Sequence, residues 1–435
     1  MQITLPDFAL VVLIGPSGAG KSGFARKHFL PTEIVSSDHC RALICDDETS
    51  MAATRDAFDL LRHTAALRLK RRRLTVIDAT SVKRRDRAPL LALAREYHAP
   101  AIALVLDIDP AICAARNETR PLRDFGADVP QGHSQALRSS LETLGRDGFR
   151  AVHILRSPDD VSAVTITREP LAADCRADHG PFDIIGDVHG CYDESIALLA
   201  RLGYVCDLYT EGETPMSARH PEGRIAFFVG DLCDRGPRNV DVLRLVMGMC
   251  AEGSARCVIG NHDFKLLRWL RKGRITLTHG IALTVGELET CTEAFRHTVR
   301  DFIADLPAHQ WLADGDLVIA HAGLPEAMHG RESGAVKDFA MFGLKNGEKD
   351  EYDLPVRIDW AQDYRGGAVV VHGHTPMPEA EWLNDVLCID TGCVFGGKLT
   401  AFRWPEREMV AIPAARKYAE PSRPLAAGAR TVQPE

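Results

Sequence analysis

Gly186-Asp187-Val188-His189-Gly190, Gly230-Asp231-Leu232-Cys233-Asp234-Arg235 and Gly260-Asn261-His262-Asp263 each stand directly after a short apolar run, at residues 183–185, 225–229 and 256–259. Polar clusters placed this way come together when the runs are strands of one sheet and the clusters fill loops at their carboxyl ends. Two later runs, residues 317–320 and 369–371, end likewise on Ala320-His321-Ala322-Gly323 and His372-Gly373-His374-Thr375-Pro376. The repeated strand, loop and helix pattern predicts an α/β fold for this half of the chain.

The residue types at these loops suit two divalent cations. Asp187 and His189 alternate along an extended segment and can grip one ion, Asp231 can bridge two, and Asn261 with a downstream histidine completes the second. His321 and His374 are the downstream ligands expected, while His372 reads as a hydrogen-bonded loop histidine. Two such ions about 3.5–4 Å apart clamp the attacking and leaving oxygens of an in-line displacement at phosphorus. A mixed His, Asp and Asn set suits Mn²⁺ or a similar transition ion better than Ca²⁺. His262 is placed to protonate a leaving oxygen or hold a phosphate oxygen, with Asp263 fixing its tautomer. Arg235 is expected to bind the phosphoryl group bidentately. Asp390, in Ile389-Asp390-Thr391-Gly392, is placed on the substrate side, supports the ligands by hydrogen bonding, or is a turn residue.

A second phosphate motif precedes the first. The apolar run at residues 10–14 leads into Gly15-Pro16-Ser17-Gly18-Ala19-Gly20-Lys21-Ser22 and then a helical stretch. Glycines at 15, 18 and 20 let the backbone N–H groups of the loop, Ser17 and Ala19 included, wrap phosphate oxygens. Lys21 reaches the terminal phosphates of ATP and the Ser22 hydroxyl meets Mg²⁺. Asp38, in Ser36-Ser37-Asp38-His39-Cys40-Arg41, either caps the helix that follows or acts as general base toward an acceptor hydroxyl, with Arg41 on that acceptor. Arg116, Arg120 and Arg123 form either a lid over the ATP phosphates or a solvated face. Asp78 stands at a strand end where an acid can back the metal, and Lys70-Arg71-Arg72-Arg73 reads as a solvated helix end.

The 435 residues allow two or three domains. Residues 1–160 are expected to form a P-loop kinase-like domain with a parallel sheet, 161–181 a linker, 182–412 a metallophosphoesterase and 413–435 a disordered tail. The net charge of −8 is divided unevenly: residues 1–170 carry 24 Lys+Arg against 21 Asp+Glu, and the remainder 28 against 39. That balance excludes a duplex-coating protein, so any nucleic acid binds locally. Twelve cysteines without a C-x-x-C pair suit a reducing cytoplasm, and the apolar runs fall short of a membrane span.

Taken together, these residues resemble the bacterial polynucleotide kinase-phosphatases of RNA end repair, over nearly the whole chain to about residue 410. The resemblance implies an α/β P-loop kinase domain followed by a calcineurin-like αββα sandwich. It implies Gly15 to Ser22 as the P-loop, Asp38 as general base, Arg41 as a substrate contact and Arg116 with Arg120 as lid residues. In the second half it implies roles for Asp187, His189, Asp231, Arg235, Asn261, His262, His321, His374 and Asp390. The expected substrates are RNA or other polynucleotide ends, phosphorylated at a 5′-hydroxyl and relieved of a 3′- or 2′,3′-cyclic phosphate. No Lys-x-Asp-Gly ligase motif occurs, so sealing is expected from a separate ligase; assembly into a homo-oligomer is left open. The phosphatase motifs are shared with protein Ser/Thr phosphatases and diadenosine tetraphosphatases. A hydrolase of either kind with a P-loop regulatory domain therefore competes, as does an ATP-switched interaction module.

Overall fold

The computed structural model describes residues 1–119, 128–208, 212–273, 275–278, 280–352, 354–422 and 425. They form two compact units, Met1–Leu171 with Arg331–Ser333, and Ala172–Gly330 with Gly334–Glu435.

In the first unit a five-stranded parallel sheet runs in the order Ile34–Ser36, Thr75–Asp78, Leu10–Ile14, Ala101–Leu106, Ala151–Leu155. The central Leu10–Ile14 and its neighbour Ala101–Leu106 are apolar and buried at every position, because helices cover both faces of the sheet. On one side the helix Thr54–Lys70 buries Ala57, Leu61, Ala65 and Leu69, a four-residue spacing that lays one stripe against the sheet. On the other, Phe24, Ala25 and Cys113 pack on Val11, Leu13 and Leu104. This unit has the α/β P-loop architecture its sequence predicts.

The second unit stacks two sheets. One runs Ala255–Cys257, Ile225–Phe228, Phe182–Ile185, Lys398–Trp404, Glu408–Pro413. The other runs Glu381–Leu383, Val386–Cys388, Val369–His372, Leu317–Ala320, His309–Leu312, Asp174–Cys175. Their facing side chains, among them Phe182, Ile184, Phe227, Ile319, Val371 and Phe402, form a shared core. Helices Tyr192–Leu202, Asn239–Ala251 and Asn261–Lys272 pack on the outer face of the first sheet. The expected calcineurin-like sandwich is thus present.

Two segments differ from expectation. Residues 161–181, expected as a linker, contain strand Thr165–Glu169, which pairs in parallel with Gln2–Pro6, and strand Asp174–Cys175, which pairs with Trp311 and Leu312. Their partners lie more than a hundred residues away, so local prolines and charges dominate the sequence signal. Residues 414–422, expected within a disordered tail, are placed against the phosphoesterase core through Ala414, Tyr418 and Ala419. No helix among the described residues is long and apolar enough to cross a membrane.

Candidate functional site

The loops after the parallel strands of the second unit converge on one cavity of about 320 Å³. Its wall includes Asp187, His189, Asp231, His262 and Asp390, all buried, with the half-buried Arg235, Asn261 and His374; Asn261 and His262 open the helix Asn261–Lys272 and the others stand in strand-end loops. His189, Asp231 and His262 bring ligand atoms within 4.8 Å of one another, and so do Asp231, His321 and His374. Asp231 belongs to both groups, which is the geometry of a bridging carboxylate. His321 also lies 3.0 Å from Asn261 Oδ1 and 3.1 Å from His374 Nδ1, measured from its Nε2. Asp187 joins through the His374 backbone N–H, which donates to its carboxylate at 3.1–3.2 Å.

Backbone carbonyls orient the histidines. His189 Nδ1 donates to Cys233 O (2.9 Å) and His321 Nδ1 to Val229 O (3.0 Å), so each presents Nε2 to the cluster. The donor set fits divalent cations, which Asp187, His189, Asp231, Asn261, His321 and His374 would hold.

Several glycines of the motifs make room for the acids. A Cβ on Gly373 would stand 1.8 Å from Asp187 Oδ1, and one on Gly260 would stand 2.2 Å from Asp231 Oδ1. His189, Asp231, Asp234, Arg235 and His374 all adopt positive φ, between 45° and 77°, which concentrates backbone strain in the site.

The partner of His262 is not its sequence neighbour. Asp263, expected to fix the His262 tautomer, instead accepts the N–H groups of Asp231, Leu232 and Gly260, holding the bridging acid in place. Asp234 does what was expected of Asp263: His262 Nδ1 donates to its Oδ2 at 2.6 Å, while Thr284 donates to its other oxygen at 2.6 Å. Asp234 sits in the same motif as Asp231, so the sequence signal was a second acid in Gly-Asp-Leu-Cys-Asp-Arg, overlooked in favour of adjacency. His372, expected as a hydrogen-bonded loop histidine, instead closes the strand Val369–His372, with its Nδ1 donating to Gly373 O (2.9 Å). The Arg235 guanidinium lies 5.4 Å from the Phe395 ring centre and reaches His189 Nε2.

Burial dominates the electrostatics. It pushes the Asp231 and Asp263 carboxyls up to about 7 and Asp234 up to about 6. Asp187 is raised by burial and then by the charges of Asp390 and Asp231; His189 is lowered by burial and then by Arg235 and His262. Burial thus favours the protonated form of Asp187 and Asp231, and a cation held there competes with protons.

In the first unit a smaller pocket is lined by Ser17, Gly18, Gly20, Lys21, Ser22, Ser37, Asp38, Asp78, Ala79 and Thr80. Lys21 Nζ donates to the carbonyls of Gly15 and Pro16, both at 2.8 Å, keeping it over the loop. Gly18 has φ 83°, and a Cβ there would stand 2.1 Å from Cys113 O; Gly15 likewise lies against Leu106 O. Ser36, not Asp38, caps the helix Ser37–Cys45, its side chain accepting from His39 N–H. Asp38 is thereby left facing the pocket, where Arg41 Nη1 donates to it at 2.7 Å. Arg41, expected on the acceptor, is paired with Asp38 here. Arg116 Nη1 donates to Ala19 O (3.3 Å); Arg120 and Arg123 lie outside the described residues. Asn117 and His133, which sequence reasoning passed over, meet Ser17 from outside the loop.

Two outcomes follow from the phosphoesterase geometry. Asp234→Asn should lower turnover by roughly 10- to 100-fold, the usual cost of losing a carboxylate behind a site histidine. Steady-state kinetics on p-nitrophenyl phosphate checks this, and unchanged turnover would remove Asp234 from the site. Mn²⁺ should raise the Tm of metal-free protein more at pH 7.5 than at pH 5.5. The buried acids take up protons as pH falls through about 6 to 7, and these compete with the ion. The same raised values make the metal-free fold lose stability as pH rises from about 4, where the unfolded acids titrate, to about 7. Equal Mn²⁺ shifts at both pH values would contradict the assignment.

Comparison with known proteins agrees with the two units. The AAA domain family profile matches residues 10–144, and the calcineurin-like phosphoesterase profile matches residues 180–386. The asymmetrical bis(5′-nucleosyl)-tetraphosphatase PrpE of Anoxybacillus flavithermus is 44% identical over 249 residues, covering 56% of this chain and 99% of that protein. Its namesake from Bacillus subtilis is 42% identical over 243 residues (55% and 97%), and that of Bacillus velezensis 43% over 241 residues (54% and 94%). The chain belongs to the calcineurin-like phosphoesterase family, as a metallophosphoesterase with a P-loop AAA domain ahead of it.

Proposed function

We propose that this chain is a bifunctional enzyme that heals polynucleotide ends, phosphorylating 5′-hydroxyls from ATP and hydrolysing 3′- or 2′,3′-cyclic phosphate. The observation that carries the reading is Asp38. With Ser36 capping the helix, Asp38 stands in the pocket with Lys21 and Ser22, held by Arg41. A nucleotide sensor has no use for a carboxylate aimed past the terminal phosphate, whereas a kinase needs one there.

ATP with Mg²⁺ supplies the phosphoryl group and neutralises the charge that develops during its transfer. The loop amides after Pro16 and the Lys21 ammonium would hold the phosphates, the Ser22 hydroxyl would serve the ion, and Asp38 would take the proton from the attacking hydroxyl. In the second unit, divalent cations supply an activated water and charge neutralisation. Arg235 holds the phosphoryl oxygens, and His262, with its Nδ1–H anchored on Asp234, protonates the leaving oxygen from Nε2. A kinase and a phosphatase acting on one hydroxyl would cancel each other. Acting on the two ends of a break, they leave a 5′-phosphate and a 3′-hydroxyl, the pair a separate cytoplasmic ligase requires.

A second reading is favoured by the relatives named as bis(5′-nucleosyl)-tetraphosphatases: a hydrolase of dinucleoside polyphosphates whose P-loop unit senses nucleotide.

Incubation with γ-labelled ATP and a 5′-hydroxyl oligonucleotide separates the two. End-healing predicts label on the oligonucleotide, and a drop of roughly 10²- to 10⁴-fold in turnover for Asp38→Asn with ATP binding nearly unchanged. Lys21→Ala should abolish transfer and spare hydrolysis of 3′-phosphate RNA, with Asp231→Ala doing the reverse. No transfer to RNA or DNA, together with hydrolysis confined to diadenosine tetraphosphate, would put the second reading first.

A further inference from the structure

The last strand, Glu408–Pro413, is followed by a segment that returns to the phosphoesterase cavity. Ala414 N–H donates to Gly397 O (2.8 Å), and Tyr418 and Ala419 N–H both donate to Val394 O (3.0 Å). Ala415 N–H and the Tyr418 hydroxyl donate to one oxygen of Glu194, at 3.0 and 2.8 Å. Glu194 is buried in Tyr192–Leu202, the helix that starts directly after the Asp187–His189 loop, and Val394 lies four residues beyond Asp390. The segment is therefore fastened to the helix that follows one site loop and to the short turn Cys393–Phe395 that follows Asp390. Gly396, at φ 90°, passes beneath Lys417, whose Cβ would stand 3.3 Å from any Cβ placed there. From these anchors the chain delivers Pro421 and Ser422 into the cavity wall, which also contains Phe342, Leu354 and Phe395. At about 320 Å³ the cavity lies at the small end of ligand sites, which span about 300–1,000 Å³.

We infer that Ala414–Ser422 is a specificity-determining wall that admits a phosphate carried at the end of a chain and excludes one carried within it. A terminal nucleotide enters with one flank free. A phosphoserine inside a peptide has backbone on both sides, and one side must cross Pro421 and Ser422. The inference rests on the phosphoesterase reading of this cavity and narrows its substrates to terminal phosphates, the class that end healing requires.

Hydrogen exchange and substrate ratios on the metal-loaded full chain test it. In wild type, the amides of Ala415, Tyr418 and Ala419 should exchange at least about tenfold more slowly than in a free peptide, because each donates within the fold. Exchange at the free-peptide rate would overturn the wall. For Tyr418→Ala and for a chain ending at Pro413, kcat/KM for a phosphoserine peptide divided by that for p-nitrophenyl phosphate should rise about tenfold or more, since steric exclusion is what has been removed. A ratio unchanged in Tyr418→Ala that has lost its slow exchange would equally overturn it. Wild type that cleaves p-nitrophenyl phosphate but no 3′-phosphate RNA would sink the end-healing reading while leaving the ratio, and so the wall, to be judged separately.

Discussion

One buried carboxylate organises the phosphoesterase unit. Asp231 is common to both ligand groups, and three separate features fix it: Asp263 accepts its N–H, His262 donates a backbone N–H to its Oδ1, and Gly260 leaves the space its oxygen occupies. Moving Asp231 would uncouple His189, beside its Oδ2, from His321, beside its Oδ1. The strain of positive φ at Asp231 and its neighbours is sustained because the surrounding sheets are packed on both faces.

The site is also a place where burial works against the acids it contains. Asp187, Asp231, Asp234 and Asp263 are desolvated and mutually repulsive, which a fold tolerates when cations or fixed N–H donors offset the charge. Asp263 has donors. Asp234 has His262 and Thr284. Asp187 accepts the His374 N–H and Asp231 the His262 N–H, and a cation between them would offset the remaining charge. In the first unit the charges are paired within the fold, Lys21 on the Gly15 and Pro16 carbonyls and Asp38 on Arg41.

Much of this was legible in the sequence, for definite reasons. Uninterrupted apolar runs such as residues 10–14 and 101–106 mark strands covered on both faces, and they became the centre of the first sheet. Polar residues at the ends of such runs fall at strand termini by geometry, which is why Asp187, Asp231, His321 and His374 converge. What stayed hidden depended on three-dimensional direction rather than on order. Positive φ at Asp234 and Arg235 turns that loop back so that Asp234, and not adjacent Asp263, meets His262. The segment from Ala414 reads as disordered from its proline and arginine content, yet a few bonds to Glu194 and Val394 seat it. The strand Thr165–Glu169 could not be read because its partner is the first strand of the chain.

If Asp231 serves both ligand groups, two cation sites share its carboxylate. Metal-free protein equilibrated with Mn²⁺ in the absence of nucleotide, then measured for bound metal per chain, tests this most directly. Wild type should retain two more ions than Asp231→Ala, and the difference should be lost in neither Lys21→Ala nor Asp38→Asn. A difference of one ion or none, in a variant that remains folded, would contradict the shared-carboxylate site.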